Sequence, residues 1–453
     1  MRISRSLLQS PARISITGFA ILILFGTALL MLPSATTTES LGFVNALFTA
    51  TSATCVTGLV VMDTGKGLTT FGQLTILGLI QVGGLGIMTL STLFLLMARR
   101  RPSLAGRVII QDTFTQGGDR SLPAILRDVA LFTLMIEGIG MTLMFFRFFP
   151  ENGATEAFYL SAFHAVSAFC NAGFSLFSES FVAYRDDWIL NLVICFLIII
   201  GGIGFLVISE LKRSFPFNDR PWSRLSLHSK LVLSTTATLL LFGSLLIFLM
   251  ERHNSLSALS LPGHFLAAFF QAVSARTAGF NTISIGNLAN ETLFVLILLM
   301  FVGGSPGSCA GGIKTTTLAC LAVLGISRLR GQERPQLFRR TIAQASVGKA
   351  ISVVMVSMVV VVAGTMILLM TEIGEVAHPL SRGKFLEFFF EVISAFGTVG
   401  LSTGVTGDLT TMGKLILTLV MFVGRLGPLV VAMAVSRQVA PRYYYAEERI
   451  MIG

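Results

Sequence analysis

Phe48-Thr49-Ala50-Thr51-Ser52-Ala53, followed shortly by Gly58, is the stretch that decides how this chain is read. Near copies begin at Phe163, Phe270 and Phe390, the last with Val392 in place of alanine. Each leads to its own glycine: Gly173, Gly279 and Gly400. Successive glycines lie 115, 106 and 121 residues apart, so the chain reads as a fourfold repeat with a period of about 114 residues. The units run 1–98, 99–212, 213–328 (with a broken inner helix) and 329–453 (with the C-terminal tail). Every copy lies between two long apolar segments, so four polar, glycine-bearing turns are expected to meet around one axis.

The composition fixes the environment. Hydrophobic residues make up 53% of the chain and charged residues 12%, roughly half the charge of a soluble domain. Eight runs reach the length of about 20 apolar residues that crosses a bilayer: 14–33, 71–97, 129–149, 188–209, 231–250, 292–325, 350–371 and 413–435. With both termini cytoplasmic, the inner segments hold 23 of the 33 Lys and Arg, a positive-inside pattern. That asymmetry accounts for the net charge of +10 without nucleic acid. The basic loops read first as orientation and lipid-headgroup contacts, and second as docking for a cytoplasmic partner. The first apolar run is too long for a signal-peptide core and reads as a retained helix. The five cysteines form no C-x-x-C pair, which supports neither a disulfide framework nor a zinc site.

Each unit reads as an outer helix, a short segment entering from the outside, and a returning helix. The short segments, 42–52, 157–168, 264–275 and 384–395, cannot span and are expected to be re-entrant helices. The turns that follow are Cys55-Val56-Thr57-Gly58, Cys170-Asn171-Ala172-Gly173, Thr277-Ala278-Gly279 and Thr398-Val399-Gly400, the third approached by a connection one residue shorter. Irregular backbone at membrane depth survives only when buried in protein or lining a water-filled path. Glycine allows successive carbonyls to turn the same way, and rings of carbonyls replace the hydration shell of a monovalent cation. These residues are therefore candidates for a cation filter. Tight turns that only pack helices together are the plainer reading, and four copies in register argue against it.

A second signature keeps the register: Gly83-Gly84-Leu85-Gly86, Gly201-Gly202-Ile203-Gly204, Gly303-Gly304-Ser305-Pro306-Gly307 and Gly424-Arg425-Leu426-Gly427. In units one and two it reads as close helix packing. Unit three departs: 292–325 is too long for one straight span, and Gly303-Gly304-Ser305-Pro306-Gly307-Ser308-Cys309-Ala310-Gly311-Gly312 cannot be regular helix. We expect a break below the filter, acting as a mobile gate or as a static hinge. In unit four Arg425 stands where the other units have glycine. A charge at that depth is a functional candidate, set to hold carbonyls of the broken loop and oppose cations, or to clamp the backbone. Arg276 reads as a brace to Glu391, Glu137 as a hydrogen-bonded structural group, and His164 and Gln271 as packing variants. The run from Gly307 to Thr315 fails the phosphate-loop spacing because Ile313 intervenes before Lys314. No catalytic motif lies in any span, so an enzyme is not expected.

Ser274-Ala275-Arg276-Thr277-Ala278-Gly279-Phe280-Asn281-Thr282, Gly303 to Ser308 with Gly311 to Thr316, and Gly424-Arg425-Leu426-Gly427 resemble the Trk/Ktr/HKT superfamily of potassium transporters. The resemblance covers nearly the whole chain and is nearest to the Ktr membrane subunit (KtrB), since an additional N-terminal helix pair of the Trk type is not seen. It implies an all-α polytopic membrane protein with four helix–pore-loop–helix repeats in fourfold pseudosymmetry around one pore. It also implies potassium bound at the filter, an intramembrane gate loop opposed by Arg425, and a homodimer on a cytoplasmic ring of nucleotide-binding RCK (KtrA-like) subunits. The location implied is the bacterial inner (plasma) membrane. Plant relatives with serine at the first filter position favour sodium, so Gly58 supports potassium, with sodium left open as a co-ion. No nucleotide is expected on this chain. The potassium-channel subunit of a P-type pump complex shares the fourfold plan but predicts about ten spans. A carboxylate antiporter would need paired intramembrane acids, and only Glu137 is at hand.

Overall fold

The computed structural model describes residues 11–37, 40–86, 122–214 and 221–427. Its helices of ten residues or more are α1 (Pro11–Leu30), α2 (Phe43–Thr54), α3 (Thr70–Gly84), α4 (Leu122–Phe169), α5 (Trp188–Ile203), α6 (Phe205–Ser214), α7 (Leu227–Glu251), α8 (Leu261–Ser274), α9 (Asn290–Phe301), α10 (Thr315–Leu329), α11 (Gln344–Glu372), α12 (Lys384–Gly397) and α13 (Thr411–Leu426). A two-stranded hairpin, Gln336–Leu337 with Arg340–Thr341, joins α10 to α11.

Local chemistry sets these boundaries. Thr69, Asp187, Ser226, Ser260 and Thr410 cap α3, α5, α7, α8 and α13 by accepting from a free first-turn N–H. α4 bends where Pro150 removes a donor and Gly153 takes φ 72°. Its second arm, ending at Phe169, enters the molecule as α2, α8 and α12 do.

Three helices among the described residues are long and apolar enough to cross a membrane: Arg127–Phe169, Leu227–Glu251 and Gln344–Glu372. Their outward faces carry exposed Leu131, Phe146, Leu241, Phe242, Met355 and Val359. In water such a surface is a liability, whereas against lipid tails it is at home. The expected spans 71–97 and 413–435 run beyond the described residues.

The packing order is cyclic. Returning helix α3 packs on α4, α5 on α8, α9 on α12, and α13 on α2. Each unit's returning helix thus leans on the next unit's short segment, and the last leans on the first. The signature phenylalanines Phe48, Phe163, Phe270 and Phe390 are fully buried. Two large apolar cores result, one mainly of units one and two, the other mainly of units three and four. Phe48 belongs to the second core and Phe270 to the first, so the halves interlock through the short helices.

The second unit corrects an expectation. The run 188–209 reads as one span with glycines for packing, yet α5 and α6 meet at a bend of 99°. Gly204 stands at the corner with φ +95°. The cause is tertiary: the Phe205 N–H donates to Gly307 O at 3.2 Å, so the broken segment of unit three occupies the place where α5 would have continued.

Candidate functional site

The four short helices end at one place. Residues two before each signature glycine, Val56, Asn171, Thr277 and Thr398, adopt left-handed φ of 50–73°. Gly58, Gly173, Gly279 and Gly400 follow with φ of 71–92°. A non-glycine residue rarely takes positive φ, so four in register are a built feature.

The glycines close a ring. A Cβ on Gly58 would lie 2.4 Å from Ala172 O, one on Gly173 2.6 Å from Ala278 O, one on Gly279 2.4 Å from Val399 O, and one on Gly400 2.1 Å from Thr57 O. Each contact reaches the carbonyl just before the next unit's glycine, and the fourth returns to the first. Thr57, Ala172, Ala278 and Val399 therefore meet as a set, with Cys55, Cys170 and the four left-handed residues directly behind, all buried. The Asn171 side chain lies 3.2 Å from Thr277 Oγ1, linking two adjacent turns.

The serine of each signature, used above only to mark the register, ties these turns to their helices. The N–H before the glycine donates to the serine carbonyl: Thr57 to Ser52 at 2.8 Å, Ala172 to Ser167 at 2.7 Å, Ala278 to Ser274 and Val399 to Ser394 at 2.9 Å. The reach is five residues in units one, two and four and four residues in unit three, which is where the shorter connection falls. Ser52 Oγ and Ser394 Oγ accept from the glycine N–H at 3.1 Å. Ser167 and Ser274 instead donate to Phe174 O and Phe280 O. Their recurrence was the signal for this role.

The run 303–312 is irregular and lies between α9 and α10. Ser305 N donates to Gly202 O at 2.9 Å and Cys309 N to Gly201 O at 3.1 Å, both on α5. A Cβ on Gly204 would sit 2.7 Å from Pro306 O, one on Gly311 would collide with Thr398 Oγ1, and one on Gly303 would touch Thr277 Cγ2. Within the segment, Ser308 Oγ donates to Ser305 O at 2.6 Å, Lys314 Nζ to Ala310 O at 2.7 Å, and Thr315 N to Gly304 O at 3.0 Å. Gly312 abuts Gly397. The segment thus touches the second unit's helix and the turns of the third and fourth.

Arg425 completes the set. It is 6% exposed, donates through Nη1 to Cys309 O and through Nη2 to Gly83 O, and so fastens the broken segment to the first unit. Gly83, Gly201 and Gly424 are small for a related reason: a Cβ there would strike Thr54 O, Phe169 O and Phe396 O, the ends of their own units' short helices. Arg276, expected to brace Glu391, instead donates to Gly303 O at 3.4 Å. Glu391 accepts from Ser402 Oγ at 2.6 Å, Thr403 N at 3.0 Å and Thr406 Oγ1 at 2.7 Å. Hydroxyls of its own loop satisfy it, leaving no need for the guanidinium. Glu137 accepts from Gln81 at 3.3 Å beside Cys170, in line with a structural group. His164, read as a packing variant, is a hydrogen-bonding residue (3.1 Å to Ser175 Oγ).

Known proteins resemble this chain in fold and in sequence. The solved potassium transporter TrkH from Vibrio parahaemolyticus superposes with a TM-score of 0.72 at 20% identity, covering 93% of this chain and 85% of that one, which establishes a shared fold. The Ktr system potassium uptake protein B of Bacillus subtilis is 38% identical over 446 residues, 98% of this chain and 97% of the relative. The potassium/sodium uptake protein NtpJ of Enterococcus hirae is 38% identical over 451 residues, with 98% and 97% covered. The Ktr protein B of Vibrio alginolyticus is 36% identical over 443 residues, with 97% and 94% covered. The family model described as TrkH, cation transport protein, matches residues 9–441, and the chain belongs to that family.

Proposed function

We propose that this chain is the pore-forming membrane subunit of a potassium uptake system, with four units, 1–98, 99–212, 213–328 and 329–453, around a single path. The observation that carries the reading is the closed ring of Gly58, Gly173, Gly279 and Gly400, each against the carbonyl that precedes the next. Carbonyls held at that spacing by buried backbone present a partly negative, water-excluding surface, and a monovalent cation replaces its hydration shell there. The ends of α2, the second arm of α4, α8 and α12 add the negative poles of four short helices at the same point.

The run Gly304 to Gly312 is the gate in this reading, and Arg425 its latch: a cation just inward of the filter opposes permeation while its two bonds hold the segment across the path. Potassium is the cargo, as the names of the Bacillus and Vibrio relatives suggest. The name of the Enterococcus relative includes sodium, which favours sodium as a co-ion. The Ktr relatives are named as parts of a system, which supports a regulatory partner; a cytoplasmic RCK ring under a homodimer in the bacterial plasma membrane, with both termini inside, is the arrangement we favour. This chain offers no nucleotide site in that scheme.

The test is potassium and rubidium uptake by the purified protein in proteoliposomes, with and without sodium. Uptake of both cations, saturable and selective over sodium, is expected. Equal passage of potassium and sodium would overturn the filter.

A further inference from the structure

The residue after each signature phenylalanine occupies one repeat position: Thr49, His164, Gln271 and Glu391. In unit two, His164 Nδ1 donates to Leu160 O at 2.8 Å, and Nε2 accepts from Leu176 N at 3.2 Å and meets Ser175 Oγ at 3.1 Å. In unit four, Glu391 accepts from Ser402 Oγ, Thr403 N and Thr406 Oγ1. Ser175 and Ser402 lie two residues past their filter glycines, and Leu176 and Thr403 three past. An imidazole and a carboxylate, chemically unlike, thus capture the same backbone N–H and the same neighbouring hydroxyl.

Unit three differs in detail: the position two past Gly279 is Asn281, whose side chain donates to Ile283 O at 3.0 Å, and the hydroxyl stands on Thr282 instead. Gln271 and Thr282, the latter three residues past Gly279, are both 0% exposed. Gln271 Oε1 and Nε2 and Thr282 Oγ1 are without hydrogen-bond partners among the described residues. A buried amide and hydroxyl left unpaired are costly, and a single water bridging them satisfies both. Unit one lacks the parts: Thr49 donates back to Asn45 O at 2.8 Å, and the matching loop positions are Val60 and Val61.

We propose that His164, Gln271 and Glu391 are positioning residues that pin the chain where it leaves each filter turn, and that the first unit is built without this pin. The pin sits on the short helix whose end carries the filter, so it fixes both ends of each turn from one rigid element. Three turns are then held at their outer rim, and among the described residues the turn at Gly58 has no matching tie from its short helix.

This rests on the filter reading, and one experiment separates the two. Potassium and sodium uptake are measured in proteoliposomes for wild type, Glu391→Leu, Glu391→Gln, Gln271→Leu, His164→Leu and Thr49→Val, each checked for monodispersity and melting temperature. Glu391→Leu removes several bonds at once and should lower potassium-over-sodium selectivity about tenfold. Glu391→Gln keeps an acceptor oxygen and should stay within about threefold, as expected when one such bond is weakened rather than lost. Gln271→Leu and His164→Leu should fall between, with maximal rate little changed, and Thr49→Val should match wild type. Where Glu391→Leu does not fold, Gln271→Leu against Thr49→Val decides. If wild type fails to prefer potassium, the filter reading fails. If wild type is selective and the pin variants share its selectivity, or Thr49→Val is as damaging as Gln271→Leu, the pins are refuted.

Discussion

Gly58 shows what one hydrogen in place of a methyl secures. Its φ of +91° disfavours any side chain, and a Cβ would lie 2.4 Å from Ala172 O, well inside van der Waals contact. Serine there must push the neighbouring unit's carbonyl, not only its own turn. Gly58→Ser should therefore keep the fold and reduce discrimination between potassium and sodium in a competition uptake assay. The contact distances rank the sites: serine at Gly400, where the contact is 2.1 Å, should be more harmful than at Gly173, where it is 2.6 Å. Unchanged selectivity in both variants would remove the carbonyl ring from the filter. Arg425 gives the second residue-level outcome. Alanine frees Cys309 O and Gly83 O together, so well-folded Arg425→Ala should take up potassium faster without a partner. Lysine keeps the charge but not the planar fork that reaches two carbonyls, so Arg425→Lys should fall between. Slower uptake by Arg425→Ala would make the residue a clamp alone.

Among the elements, the broken segment and the bend at Gly204 behave as one part. Pro306 and Gly307 sit in the corner between α5 and α6, so a methyl group at Gly204 meets Pro306 O at 2.7 Å. Gly204→Ala should shift the segment, changing uptake rate while leaving the potassium-to-sodium ratio near wild type; a changed ratio with an unchanged rate would contradict this division of labour. The two breaks were unequally legible. Gly303 to Gly312 announces itself by ten polar, small or cyclic residues in an apolar run. Gly201 to Gly204 lies among isoleucines, phenylalanine and leucine, and its glycines read equally well as packing positions in one continuous helix. Its break depends on a partner about 100 residues away in sequence, which periodicity does not register. The four glycine turns were legible because the repeat supplied four copies. The Arg276 to Glu391 pairing misled because opposite charges in neighbouring signatures suggest a bridge, while the nearby hydroxyls of Ser402, Thr403 and Thr406 looked like ordinary loop.

At the scale of the molecule, the helices sort by what they face. Long α4, α7 and α11 present apolar surface outward, and short α2, α8 and α12 start at the surface and are buried toward their C-terminal ends. Val359, 67% exposed in the middle of α11, marks the lipid side in this reading. Val359→Lys should raise the insertion cost by about 3–4 kcal/mol and visibly lower the membrane-integrated fraction on expression, where the same change in a solvated helix would pass unnoticed. The Arg425 contacts carry a consequence for how such a molecule can be assembled. A single guanidinium bonds a segment from the third unit and a helix from the first, and the equivalent positions, Gly84, Gly202 and Gly304, are bare. Four identical subunits could not make that arrangement, because a gene encoding one such arginine would deliver four, and their charges would contend for the same small space. Fusing the units into one chain releases each from copying the others. The two-way bond of Arg425 is thus a product of broken symmetry, open only to a protein whose quarters are free to differ.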